Sequence, residues 1–310
     1  MEHAAQWRSH GAARRAGYAL LPGEGFSYLL HLRPREWPIM AAHTLLGLLL
    51  AVGLNVVTLS FYWRTALVAL AIWVICLNGG TLALNSAYDM DVGDIGYLDA
   101  PPPPPRHLAA FGFALMLGGQ LWTLAYPVPL VLAYAACFIM SLVYSAPPIR
   151  LKSVPGADWL INVVGFGALT PFAGWVITGR PLTTEAIVVF VAFAALFGAL
   201  YPLTQLYQLD EDAARGDRTM AVLLGARGSL AVSLACALAA FAMFAWIAHR
   251  TAAGTGASIA LLVSAACWLL LLARWLIRAP ELGASDHKRG MYVALSAWAL
   301  TDVAVLALFA

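Results

Sequence analysis

Two short stretches of the chain are dense in carboxylates and hold eight of its sixteen acidic residues. The first contains Asp89, Asp91, Asp94 and Asp99, and the second contains Asp210, Glu211, Asp212 and Asp217. Asn85 precedes Asp89 by four positions, and Gln208 precedes Asp212 by four, so each pair shares one face if the backbone is helical. Polar loop ends also carry acids, but two equivalent clusters indicate two related halves of one site that face a common cavity.

Carboxylates in this arrangement favour a Mg²⁺ site, because they would repel a phosphate that approached them directly. Mg²⁺ prefers oxygen ligands and keeps substrate phosphate in its coordination shell. Two such clusters can therefore hold a diphosphate through metal ions and stabilise its negative charge as it leaves. The acidic pattern predicts chemistry at a diphosphate.

The elements that must position these side chains are predicted to be membrane-spanning helices. The 310 residues are 62% hydrophobic and 11% charged, with a mean hydropathy of +0.78, which excludes a soluble globular or disordered chain. Nine apolar stretches have about the length that crosses a bilayer: 38–58, 66–88, 107–124, 126–146, 158–178, 184–207, 228–248, 256–277 and 290–309. We expect an all-α polytopic membrane protein with nine transmembrane helices around a central cavity.

The distribution of basic residues predicts the orientation. With the N-terminus in the cytoplasm, all but three of the 18 Lys and Arg residues lie on the cytoplasmic side, the exceptions being Arg64, Arg180 and Arg250. Both acidic clusters then lie at cytoplasmic helix ends, after the second and sixth spans, beside Arg150, Lys152, Arg215 and Arg218. A membrane enzyme that acts on a prenyl diphosphate accounts for these features.

The polar residues 1–37 are expected to form a cytoplasmic N-terminal segment, with an interfacial helix at 24–36, and residues 38–310 the transmembrane domain. The net charge of +2 implies no broad basic face for nucleic acid. The four cysteines stand singly in apolar runs, which argues against a disulfide or zinc framework.

Four short patterns follow one another at the predicted helix ends. Residues 31–37 read HLRPREW, 85–89 read NSAYD, 144–152 read YSAPPIRLK and 208–225 read QLDEDAARGDRTMAVLLG. Together they resemble the L-x-R-P-x-x-W, N-D-x-x-D-x-x-x-D, Y-S-x-P-P-x-R-x-K and D-x-x-x-D-x-x-x-G-x-x-T-L-x-V-x-L-G patterns of the UbiA superfamily of intramembrane prenyltransferases. The resemblance runs from about Leu32 to the end of the seventh helix and implies nine transmembrane helices with two Asp-rich motifs.

The chain departs from these patterns at several positions. In the first motif Ser86 replaces an Asp, and the last Asp falls on Gly93, with Asp94 one place later. In the second motif Gln208 stands where the family has its first Asp. The basic segment that often follows the first motif is replaced by prolines at 101–105.

The resemblance implies roles for particular residues. Catalytic roles fall on Asp89, Asp212 and Lys152, and diphosphate binding on Asn85, Arg150, Lys152, Arg218 and Tyr144. Metal ligation falls on Asn85, Asp89, Asp94, Gln208, Asp210 and Asp212. Asp91 competes with Asp94 for its role, and Asp217 with Asp210.

The predicted function is Mg²⁺-dependent transfer of a prenyl group, through an allylic cation, to a lipophilic acceptor that is aromatic, a carotenoid or a lipid. The expected partners are the prenyl diphosphate, the acceptor and membrane lipids, with no obligate protein partner, and the expected location is the cell membrane. One alternative is a terpene cyclase of the same superfamily, in which an internal double bond attacks the cation. Cation-coupled transport is the other, but the acids gather at one face and not at the midplane where transport sites lie.

Overall fold

The computed structural model describes residues 11–21, 23–89, 95 and 98–309, and the regular structure within them is helical apart from one isolated bridge between Ile95 and Leu98. The all-α prediction is confirmed. The described residues contain twelve helices longer than one turn, in this order: α1 Ala12–Leu20, α2 Gly25–His31, α3 Trp37–Val52, α4 Val56–Asp89, α5 Leu108–Thr123, α6 Val128–Ser145, α7 Ala157–Val176, α8 Thr184–Gln205, α9 Leu209–Arg215, α10 Met220–Arg250, α11 Thr255–Arg278 and α12 Ala284–Ala307.

Seven of the described helices are long and apolar enough to cross a membrane: α4, α6, α7, α8, α10, α11 and α12. Helices α3 and α5 are also apolar but have only 16 residues each. Every predicted apolar stretch coincides with a helix, but nine crossings around a central cavity remain a prediction.

The boundary between the first two predicted spans was wrong. Helix α3 ends at Val52, because Gly53 adopts a left-handed conformation with φ of 80°, and α4 begins at Val56. Arg64, which the sequence placed in an outer loop, therefore lies inside α4. A charged residue lowers local hydropathy without ending a helix, so the apolar pattern alone started this element ten residues late.

Two helix starts differ from those that the hydropathy predicts. Helix α10 runs over Met220–Arg250, but Gly225 interrupts it with φ of 64° and ψ of −179°, so its long part begins close to the predicted residue 228. Helix α12 starts at Ala284, where the sequence predicted 290. Thr219 caps α10 by accepting the Val222 N–H at 3.2 Å. The first turns of α12 read ASDHKR and are polar, so they are helical without being apolar.

The described chain divides into two compact units. The first consists of the described part of Met1–Thr44 together with Thr65–Ile149. Its helices α4 and α5 pack at a pair of glycines, since a Cβ built on Gly112 would lie 2.7 Å from the carbonyl oxygen of Gly80. Tyr134 of α6 is fully buried and donates its hydroxyl to the Met116 carbonyl of α5 at 2.9 Å. These contacts fix the ends of α4 and α6, on which the first acidic cluster depends.

The second unit consists of Leu45–Arg64 and Arg150–Ala310. Gly167 of α7 packs directly on α8, because a Cβ there would lie 2.7 Å from the Cα of Ala194. Phe193 of α8 makes ring contacts with Phe244 of α10 and Trp298 of α12. This aromatic centre holds together the helices that surround the second acidic cluster.

Candidate functional site

The first acidic motif begins at the ends of α4 and α6. Asn85 Nδ2 donates to Ser145 Oγ at 3.4 Å, and one turn earlier Thr81 and Ser141 share a hydrogen bond of 2.7 Å. Because the partners advance by four residues in the same direction on both helices, α4 and α6 run parallel here and end together. The half-buried Asp89 is one turn beyond Asn85 on α4.

Tyr144 precedes Ser145 on α6, so the two hydrogen bonds between α4 and α6 place the Tyr144 backbone at the same end as Asn85. The Tyr144 side chain is half-buried. The bond to Ser145 uses the amide nitrogen of Asn85, while a metal would take the amide oxygen. The predictions for Asp91 and Asp94 lie outside the described residues.

A buried basic residue reaches the altered position of the first motif. Ser86 is 1% exposed and accepts a hydrogen bond of 3.3 Å from Nη2 of Arg33, which is itself buried. Burial raises the pKa of Glu36, and the nearby Arg33 and Asn78 oppose that shift. Arg33 therefore lies beside a hydroxyl where the family pattern has a carboxylate. The sequence identified Arg33 only as part of the L-x-R-P-x-x-W pattern and predicted no hydrogen-bond partner for it.

The second acidic motif contains a short helix, α9, with a cap residue at each end. Gln208 precedes α9, and Asp212 on α9 is buried, with 6% of its surface exposed. Gly216 ends the helix in the left-handed conformation with φ of 79°, and the Asp217 N–H returns to the Asp212 carbonyl at 3.0 Å. The second motif thus needs its glycine for a tight turn that directs the chain into α10. Asp210 also belongs to α9, but its side chain is outside the described set.

The loop that carries Arg150 and Lys152 lies against the turn that contains Asp217. Nη2 of Arg150 is 3.8 Å from Oδ1 of Asp217, and Asp217 is the more buried partner at 13% exposed. Lys152 follows in a one-turn helix and is half-buried, whereas Arg218 is exposed. Asp217 is therefore placed to hold Arg150.

Asp158 is a residue that the sequence analysis missed. It is fully buried in the first turn of α7, where Oδ1 accepts the Gly156 N–H at 2.9 Å and Oδ2 accepts the Met220 N–H at 3.0 Å. Met220 begins α10 within the second motif, so Asp158 joins the start of α7 to that motif. The sequence signal that could have identified Asp158 is an acidic residue at the start of an otherwise apolar span.

The candidate ligands suit a magnesium ion that shares its shell with substrate. Within the described ranges, no three His, Cys, Asp or Glu side chains group closely enough to hold a metal by themselves. The available donors, such as Asn85 and Asp89 in one unit and Asp212 in the other, are hard oxygen ligands. Mg²⁺ is typically bound through one or two carboxylates together with substrate phosphates and water. The donors of each motif are therefore of the chemical type that fits Mg²⁺ bound with a diphosphate.

Comparison with known proteins places this geometry in context. The model of the UbiA prenyltransferase family matches residues 40–296. The chain is 29% identical over 232 residues to a protein of Halobacterium salinarum named lycopene elongase/hydratase, covering 73% of this chain and 81% of the relative. It is 26% identical over 244 residues to a protein of Natronomonas pharaonis named digeranylgeranylglyceryl phosphate synthase, covering 74% and 82% respectively.

The fold is also found among solved structures. A UbiA homologue from Archaeoglobus fulgidus, solved with DMAPP and Mg²⁺ bound, superposes with a TM-score of 0.62 at 18% identity. The match covers 90% of this chain and 99% of that one. At this identity the likeness establishes the helical architecture, and the assignment of substrate needs separate support.

Proposed function

The chain belongs to the UbiA prenyltransferase family, and from this premise we propose that it transfers a prenyl group from a prenyl diphosphate to a lipophilic acceptor in an Mg²⁺-dependent reaction. It is a multi-pass membrane protein and an enzyme of the prenyltransferase class. We propose that its N-terminus and both acidic segments face the cytoplasm, as the distribution of basic residues predicts.

The observation that carries the proposal is the position of Arg150 beside the second acidic motif. A site for a metal-bound diphosphate needs carboxylates for the metal and cations for the phosphate oxygens in one place. The Arg150 guanidinium lies 3.8 Å from Asp217, which is five residues beyond the buried Asp212. Sequence proximity could not supply this, because 66 positions separate Arg150 from Asp217.

We assign the residues as follows. Mg²⁺ would be held by the first motif through Asn85, Asp89 and Asp94 and by the second through Gln208, Asp210 and Asp212. When bound, the metal would offset negative charge on the departing diphosphate. Arg150, Lys152 and Arg218 bind the diphosphate oxygens, and their positive charge favours cleavage of the bond between carbon and oxygen.

The remainder of the proposed chemistry concerns the allylic cation. The face of Tyr144 stabilises positive charge by its quadrupole. The apolar helices exclude water, so the cation reacts with the acceptor in preference to water. Holding both reactants in one site supplies the orientation that the bimolecular step requires.

The test is a turnover assay in liposomes with C10, C15 and C20 prenyl diphosphates and Mg²⁺. Diphosphate release and organic products are followed with lycopene, a membrane-lipid extract or no acceptor. Asp89→Asn and Asp212→Asn are expected to lower kcat by about 10²–10³-fold, the scale for loss of one group that stabilises transition-state charge. Asp286→Asn is the matched control, because Asp286 is an exposed acid in the first turn of α12.

Excess chelator is expected to stop turnover, and added Mg²⁺ to restore it. Full turnover in chelator, or motif variants that match wild type, would refute the proposed mechanism. A cyclic product formed from the diphosphate alone would identify a cyclase and contradict transfer to an acceptor.

A further inference from the structure

We propose that helices α1 and α2, together with residues 32–36, form an N-terminal clamp that holds the end of α4, which carries Asn85 and Asp89, relative to residues 99–102, with Arg14 as its principal positioning residue. This role rests on the proposed function of Asn85 and Asp89 in binding the metal and diphosphate. The clamp precedes residue 40, where the match to the family model begins. Residues 32–36 belong to the L-x-R-P-x-x-W pattern, whereas α1 with Arg14 lies outside the patterns that carry the family resemblance.

The first contact is made by Arg14 on α1. Its side chain is buried, with 7% exposed, and donates from Nη1 to the Ala100 carbonyl at 2.7 Å and from Nη2 to the Asp99 carbonyl at 2.8 Å. A planar guanidinium can bind two neighbouring carbonyl oxygens at once. Ala100 has a φ of 44°, so the backbone at this bend adopts a conformation that residues other than glycine rarely take. Arg14 thus fixes a strained bend at Asp99 and Ala100, where the first acidic cluster ends.

The second contact is made by His31 at the end of α2. It is 1% exposed, and its Nε2 lies 3.1 Å from the carbonyl oxygen of Pro102. A carbonyl only accepts, so Nε2 carries the proton in this pair. Burial lowers the pKa of His31 to about 4, and the ring stays neutral at ordinary assay pH. Arg35 adds an exposed ion pair to Asp99 at 2.9 Å, which is weaker because water screens it.

The third contact lies at the end of α4. Arg33 donates to Ser86, one turn before Asp89, and Leu32 packs against Ala83 and Leu108 in a buried cluster. The clamp therefore contacts both the end of α4, at Ser86, and residues 99–102. We expect these contacts to restrict the movement of residues 99–102 relative to the end of α4.

Arg14→Gln is the test, and Arg15→Gln is its matched control. The two arginines are adjacent on α1, but Arg14 is buried and Arg15 is exposed. Both variants are assayed with geranyl diphosphate at saturating Mg²⁺, and their melting temperatures are measured in detergent. A second readout is hydrogen exchange of the Leu98 amide, which donates to the Ile95 carbonyl at 2.8 Å and does not depend on turnover.

Loss of the clamp should reduce the fraction of molecules in which Asn85 and Asp89 are positioned to bind the metal and diphosphate. Arg14→Gln is expected to raise the KM for geranyl diphosphate about tenfold with little change in kcat, since saturating substrate restores the bound arrangement. Exchange at Leu98 should accelerate to a similar degree, and Arg15→Gln should resemble wild type in all readouts.

The outcomes separate the clamp from the proposed function. If wild type is active and Arg14→Gln leaves KM unchanged, or lowers only kcat and melting temperature together, the positioning role is overturned. If wild type is inactive with every prenyl diphosphate, the proposed function fails, and the exchange at Leu98 decides whether Arg14 holds this bend. Unchanged exchange in Arg14→Gln would overturn the clamp in either case.

Discussion

Replacing Asp158 by Asn tests how the second acidic motif is held in place. The carboxylate is fully buried, and each of its oxygens accepts one backbone N–H, from Gly156 at 2.9 Å and from Met220 at 3.0 Å. Asparagine keeps one acceptor and sets an NH₂ group against the other N–H. Asp158→Asn therefore leaves a buried backbone donor without an acceptor at one of these positions.

The magnitude follows from the loss of one hydrogen bond to a charged acceptor. Such bonds contribute about 1.5–3 kcal/mol, and an unsatisfied buried donor costs a similar amount. We expect Asp158→Asn to lower the free energy of unfolding by about 2–3 kcal/mol, and the melting temperature in detergent by several degrees. Because Met220 begins α10 two residues after Arg218, we also expect kcat/KM for geranyl diphosphate to fall.

Asp286→Asn provides the comparison, since Asp286 also accepts a backbone N–H at a helix start, from Gly283 at 3.2 Å, but is exposed. Water can replace that acceptor, so this variant should melt close to wild type. Equal melting temperatures for wild type and Asp158→Asn would refute the stabilising role of the bond to Met220. A lower melting temperature with unchanged kcat/KM would refute its link to the acidic motif.

Three further predictions follow from contacts in the two units. Burial lowers the pKa of His31 from 6.5 to about 4, so the contribution of neutral His31 to stability should be complete above pH 6.5 and decline as the pH falls toward 4. His31→Gln should flatten the profile of melting temperature against pH over that range, and an unchanged profile would contradict this prediction. Gly112→Ala should destabilise the protein by about 1–3 kcal/mol through a clash with a neighbouring backbone, whereas Gly118→Ala on the same helix meets no atom within 4 Å and should not lower the melting temperature. Arg150→Gln should lower kcat/KM more than Asp217→Asn does if Arg150 binds diphosphate, and equal losses would indicate that the ion pair serves only to hold the turn.

Local patterns in the sequence were enough to predict where the helices lie and which ends carry polar chemistry. Apolar runs of about twenty residues must be helical in a bilayer, because every backbone polar group needs an internal partner there. The spacing of Asn85 and Asp89 was likewise sufficient to place both on one face of α4, since helical geometry is local. The helix starts at Val56 and Ala284 were not predicted, because hydropathy indicates burial in lipid and not helicity.

The sequence by itself determined the fold class and family resemblance, the two acidic motifs, and the residues proposed to act on a diphosphate. Only the tertiary structure decided which distant groups complete those motifs: Arg14 with the Asp99 and Ala100 carbonyls, and Asp158 with Met220. The physical reason is that a buried charge needs specific partners, and those partners are backbone groups that every residue possesses. Such partners leave no signature in residue type or spacing, so they become visible only when the chain is folded.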